Sequence, residues 1–214
     1  MEKEKMKLWK KLLLIFLALL LVFAILTLRK YIIITKLINA SKSYVCKTNF
    51  VVDTYALTND SVTTTKTYHD GENFFTRYKT YRNNASEMRS LIIYNKDNEK
   101  ICIIESDEDK IALLNGNIAI GPTGINTINE FDDIKFKIPL AFTSKIKSQE
   151  CNGKDCYLIE ISKDDRIWVE KETGIIIRNM SVGYITNRSY TFDVVKDEDI
   201  IKPDISDCKI QENN

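Results

Sequence analysis

In ECNGKDCYLIEI, residues 150–161, two cysteines stand four residues apart around an Asn-Gly step. Thiols in that pattern can hold a metal, cycle as a redox pair or close a bridge across a hairpin. Zinc needs further Cys or His ligands, and the chain has one histidine, His69, and no second closely spaced cysteine pair. A thioredoxin-like Cys-x-x-Cys motif has a shorter spacing. A turn on Asn152-Gly153 would set Cys151 against Lys154 and leave Cys156 out of register. A turn on Gly153-Lys154, or a longer loop, would set Cys151 opposite Cys156 within disulfide reach. The expectation is a Cys151–Cys156 disulfide that pins a hairpin tip, with unpaired thiols the chief alternative. Cys46, Cys102 and Cys208 remain, and apolar neighbours mark Cys102 as a small core residue.

No catalytic or cofactor-binding constellation accompanies them. His69, in TYHDGENFF, lies beside a turn and would have to supply any imidazole chemistry alone. Ser and Thr residues form no G-x-S-x-G elbow. NKDNEKICIIE alternates acids like a calcium loop yet lacks its central glycine. GPTG (121–124) is too short to cradle a phosphate. Trp168, in DRIWVEK, reads as sheet packing. No metal or cofactor is expected, and the chain reads as a non-enzyme whose ligand-binding residues the sequence leaves unknown.

The elements that carry these residues divide sharply. Leu12 to Leu28 reads LLLIFLALLLVFAILTL, with no charge, Gly or Pro. As a helix it is about 25 Å long, near the short end for crossing a bilayer, and Trp9 and Tyr31 flank it at headgroup depth. Residues 1–47 carry a net charge of +8 and the remainder a net of −7. An acidic body argues against nucleic acid as a partner; basic residues beside the apolar run suit anionic lipid. Lysines before and after the run nearly balance, but long domains translocate largely regardless of charge. The expected layout is a cytoplasmic tail at 1–11, a transmembrane signal anchor at 12–28, a juxtamembrane, helical extension at 29–42, an extracytoplasmic domain at 43–207 and a C-terminal tail at 208–214. Ile38-Asn39-Ala40 is a poor cleavage site, so an uncleaved anchor is preferred to a signal peptide. A disulfide, which persists outside the cytosol, agrees with that side.

Beyond residue 43 the texture is short β-branched and aromatic segments cut by Asn, Asp and Lys turns: NFVVDTYAL, SVTTTKTYHD, NFFTRYKTY, RSLIIYN, KICIIES and KIALL. NGNIAIGPTG reads as a loop or short edge strand, and residues 125–136 as a short helix with apolar residues spaced by three. SKIKSQE, CYLIEIS, DRIWVEK, GIIIRNMSVGYI and RSYTFDVV return to strands. The expected fold is a transmembrane helix followed by a mainly β, α+β domain: a curved antiparallel meander with few helices. Strands such as KICIIES are apolar on both faces, so one face needs a helical roof and the other needs loops, a partner or lipid.

GKDCYLIEISKDDRIWVEKETGIIIRNM, FDVVKDEDIIKPDI and YHDGENFF together resemble the strand rhythm of the lipoprotein-carrier superfamily, the LolA, LolB and RseB-like half-barrels, over residues 43–205. That resemblance implies a half-barrel sheet wrapped round helices, with an apolar cavity for acyl chains or a partner's lipid. No ligand-handling residue of the family transfers to a position here. Family members are typically soluble or lipid-anchored, and a fixed helical tether departs from that. The implied role is a single-pass, membrane-held binding module for a lipid or lipoprotein acyl chain or a protein partner. The alternative is a structural or regulatory accessory subunit of a membrane complex.

Overall fold

Residues 2–45 form one unbroken helix, α1 (Glu2–Val45), which runs from the apolar segment into the folded body. The structure, a computed structural model, describes residues 2–82, 85–106, 108–115 and 124–212. Most of NGNIAIGPTG, including all but the last residue of GPTG, falls outside them. The span and its extension, read from sequence as separate segments, are thus a single rod.

After α1 come β1 (Asn49–Thr58), β2 (Ser61–Asp70), β3 (Asn73–Arg82), β4 (Ala85–Lys96), β5 (Glu99–Glu105) and β6 (Lys110–Leu114). A 3-10 turn (Ile128–Phe131) and α2 (Ile134–Thr143) precede β7 (Lys145–Cys151), β8 (Lys154–Glu160), β9 (Arg166–Glu170), β10 (Ile176–Ser181), β11 (Tyr184–Phe192) and β12 (Lys209–Glu212). They make one sheet in the order β12-β6-β5-β4-β3-β2-β1-β11-β10-β9-β8-β7. Every pairing is antiparallel except β12 against β6. The expected α+β architecture is therefore present, built as two meanders that abut where β1 pairs with β11.

Three details differ from the sequence reading. GIIIRNMSVGYI is broken by a turn at Val182-Gly183, so it supplies two strands. The helix expected at 125–136 is a 3-10 turn followed by α2, which continues to Thr143 through Pro139. Segment 208–214, read as a tail, contributes β12.

Burial explains why both faces of the sheet are apolar. Ile34, Leu37 and Ile38 of α1 are fully buried against Ile159, Ile167, Val169 and Ile176, beside Ile128, Leu140 and Ala141. Each such side chain contributes about 1.5–3 kcal/mol. Register aligns Val51, Tyr68, Phe75, Tyr94, Ile101 and Leu114 across six strands. The chain's own C-terminal segment covers that row through Val195, Ile200 and Ile205. The alternate row buries Val52, Thr67, Thr76, Ile93 and Cys102. There the Thr76 hydroxyl donates to Thr67 Oγ1 at 3.0 Å, which keeps two polar side chains satisfied inside.

Candidate functional site

α1 has two environments along one axis. Its inner stripe, Ile34, Leu37, Ile38 and Ser41, recurs at helical spacing and is sealed in the domain. The run before it is apolar all round, and its large side chains are exposed, as Leu14 at 66% and Leu21 at 63% illustrate. From Leu12 up to Leu19 this helix is apolar on every side and meets nothing else among the described residues, the pattern of a helix with a nonaqueous surround. One helix among the described residues has the length and composition to cross a membrane, and it is this one.

α2 is bolted to α1 at the end of that run. The Asp133 side chain accepts from the Lys135 N–H at 2.9 Å and starts the helix. Asp132 accepts from Lys137 Nζ at 2.8 Å and stands 3.5 Å from Lys42 Nζ on α1. The Lys137 ammonium, first among these causes, holds the Asp132 carboxyl below its ordinary range. That ammonium also stands 5.9 Å from the centre of the Tyr31 ring. At the other end, Lys30 Nζ donates to the Ser144 carbonyl at 2.7 Å. Leu140 and Ala141 point inward. Phe142 points the other way and meets Phe23 of α1, with ring centroids 5.9 Å apart.

Between the two helices lies an open groove of about 570 Å³, lined by Leu20, Phe23, Ala24, Leu28, Ile138 and Phe142 among others. Tyr31 and Thr27 close its inner end. Its walls carry almost no polar surface, and its volume falls within the range of small-ligand sites. Such walls can retain an aliphatic chain and have no means of orienting a polar one.

A second hollow, of about 520 Å³, lies on the sheet among Asp53, Lys66, Arg77, Lys79, Asn152 and Asn187. Lys66 Nζ stands 3.9 Å from Asp53 Oδ1, and the Tyr68 hydroxyl, ahead of Asp53, raises the lysine's pKa. Both charges are solvated, and the arrangement reads as ordinary sheet surface.

The sequence-derived candidates resolve differently. The expected Cys151–Cys156 disulfide is not formed, and both are free thiols, as are Cys46, Cys102 and Cys208. The chain uses the Asn152-Gly153 turn, with φ of +54° and +75°, which pairs Cys151 with Lys154 and Cys156 with Gln149. Asn and Gly are the residues that tolerate left-handed geometry at both central positions of such a turn. Burial pushes the Cys156 thiol up to about 11 and raises Cys151 as well. Oxidation at this hairpin therefore gives no information on compartment.

Cys102 is buried as expected, and burial raises its pKa. His69 Nδ1 lies 2.8 Å from the Thr48 carbonyl oxygen, and its ring stacks between Phe50 and Phe74. It is a packing residue at a strand end. The acid-alternating stretch forms a hairpin turn at Asp97-Asn98, both with positive φ. Trp168 lies under the Arg178 guanidinium at 4.8 Å. Among the described residues no group of three or more His, Cys, Asp or Glu could hold a metal ion. Sequence reasoning missed the α1–α2 groove. Its signal was present: Ile134, Ile138 and Phe142 recur every four residues, a helical spacing that runs past the 125–136 segment read as helix.

No family model matches this chain, and no curated protein does. Among solved structures it is similar to MucB, with a TM-score of 0.37 and 8% identity over 82% of this chain and 64% of that one. It is similar to a chain of the Pseudomonas aeruginosa MucA/MucB complex at a TM-score of 0.38 and 10% identity, covering 86% and 63%. A third likeness, to MucB in complex with MucA(peri), has a TM-score of 0.36 and 10% identity, covering 83% and 60%. The chain spans less than two thirds of each of those chains. Its function is therefore derived from its own side chains.

Proposed function

We propose that this chain is a single-pass, membrane-tethered, non-catalytic binding module that holds a hydrophobic chain in the groove between α1 and α2. The tail at 1–11 is cytoplasmic, residues 12–28 cross the membrane, and the sheet domain is extracytoplasmic. The ligand class is a lipid or lipoprotein acyl chain.

The observation that carries this reading is the lining of the groove. A cleft of about 570 Å³ with almost no polar wall, opening beside an apolar helix, is suited to an alkyl chain. The experiment is native mass spectrometry of the full chain released from lipid nanodiscs. A lipid retained by the intact chain and lost in Ala24→Phe supports the reading. A chain that sheds all lipid at the same low collision energy as Ala24→Phe overturns it.

A second reading, an accessory or regulatory subunit, draws on the continuity of α1. A rod that is both span and core element would carry a displacement in the membrane directly into the sheet. Site-directed cross-linking along residues 12–28 to one membrane protein, in a chain without bound lipid, favours this alternative.

A further inference from the structure

α2 carries an apolar face that the fold leaves uncovered. Ile134 is 63% exposed, Phe136 57%, Phe142 49% and Ile138 41%. Around the helix the inward positions are Lys137, Leu140 and Ala141, and the outward arc is apolar apart from Lys135 and Thr143. Large aromatic and aliphatic side chains gathered on one short helix are not what a water-facing surface carries. They are what a surface that meets lipid carries.

The contact with α1 says what covers that face. Phe142 packs on Phe23, and Phe23 lies five residues inside the end of the apolar run at Leu28. At about 1.5 Å of rise per residue, that is roughly 7–8 Å below the run's end, within the ~5–10 Å to which interfacial helices sink. Arg29 and Lys135, both exposed, stand where the run ends and where α2 begins. Their long stems can reach phosphate while the apolar arc stays below. The apolar surface of α2 is thus continuous with that of the span.

We propose that α2, which runs back along α1 from Lys42 towards Phe23, lodges its apolar end at Ile138 and Phe142 in the leaflet on the domain side of the same bilayer that α1 crosses, and that it fixes the sheet's pose against the lipid surface. Two attachments, one spanning and one interfacial, remove the freedom of a domain on a single tether. The groove then opens sideways into acyl chains rather than into water. This inference rests on residues 12–28 being a span, and it holds whether or not the groove retains a ligand.

The test places a photoreactive benzophenone amino acid singly at Leu17, Phe136, Phe142 and Tyr81 in the full chain. The chain is reconstituted in phosphatidylcholine–phosphatidylglycerol vesicles. All four side chains are exposed, so the fold tolerates them. Lipid adducts at 136 and 142 approaching the yield at 17, with background at 81, are the expected result. Lipid adducts at 17 with none at 136 and 142, or with protein adducts there instead, would overturn the docking of α2 and leave the anchor standing. An absence of lipid adducts at 17 would overturn both.

Discussion

Gly174 lies directly beneath Leu37: a Cβ added to Gly174 would sit 2.2 Å from the Leu37 carbonyl oxygen and 2.8 Å from Ser41 Cβ. The β9–β10 turn and α1 meet at this point backbone to backbone. Gly174 also has φ of +66°, a conformation that side-chain-bearing residues rarely adopt. This contact seats the rod on the sheet. It explains how the inner half of one long apolar helix becomes a core element of the domain.

Gly174→Ala therefore forces strain and collision together, and thermal unfolding in detergent should show a loss of about 2 kcal/mol or more. Gly71→Ala is the matched control. Gly71 has φ of +62° but nothing within 4 Å of an added Cβ, so only the left-handed strain remains, about 1–2 kcal/mol. Equal losses in the two variants would show that α1 is not seated on the turn.

The Cys156 thiol predicts alkaline behaviour. In the fold its pKa is raised from 9.0 to about 11 by burial, so the unfolded chain loses this proton first as pH rises. Stability is then fully present below pH 9 and falls between pH 9 and 11. Cys156→Val should flatten that slope in denaturant titrations. Because Cys151 and Cys156 are free thiols, reductant should leave the melting temperature unchanged. A drop on reduction would show that a bridge had formed.

Tyr190 ties the loop before the 3-10 turn to the sheet. Its hydroxyl oxygen accepts the Asn126 N–H at 3.1 Å and donates to the Gly124 carbonyl at 3.4 Å, and burial raises its pKa. Tyr190→Phe leaves a part-buried N–H without its acceptor, a cost of about 1–3 kcal/mol. Hydrogen exchange at Asn126 should quicken before exchange in β8 and β9 does. Exchange that quickens uniformly would count against a local tie.

Ala24→Phe fills the α1–α2 groove from the α1 side. Lipid retention should fall, while the unfolding free energy changes by only about 0.5 kcal/mol, since surface substitutions away from the core cost little. Unchanged retention with a filled groove would move the lipid site elsewhere on the chain.

Some of this protein is local, and so was legible in the residues alone. An uncharged apolar run, alternating β-branched strands and Asn/Asp/Gly turns are set by side-chain transfer energies and backbone preference, which act within a few residues. Hence the long helix and the antiparallel, mainly β body could be read directly. The hairpin holding Cys151 and Cys156 turned on a contest between neighbouring turn types, and the turn formed puts Asn152 and Gly153 both in the left-handed region, against the bridge. Three relationships needed tertiary structure, because each joins residues far apart in the chain: β1 beside β11, the C-terminal segment over the Val51 row, and Phe142 against Phe23. The helix read at 125–136 continues to Thr143 through Pro139, because the penalty of proline in a helix is local while the docking on α1 that offsets it is not.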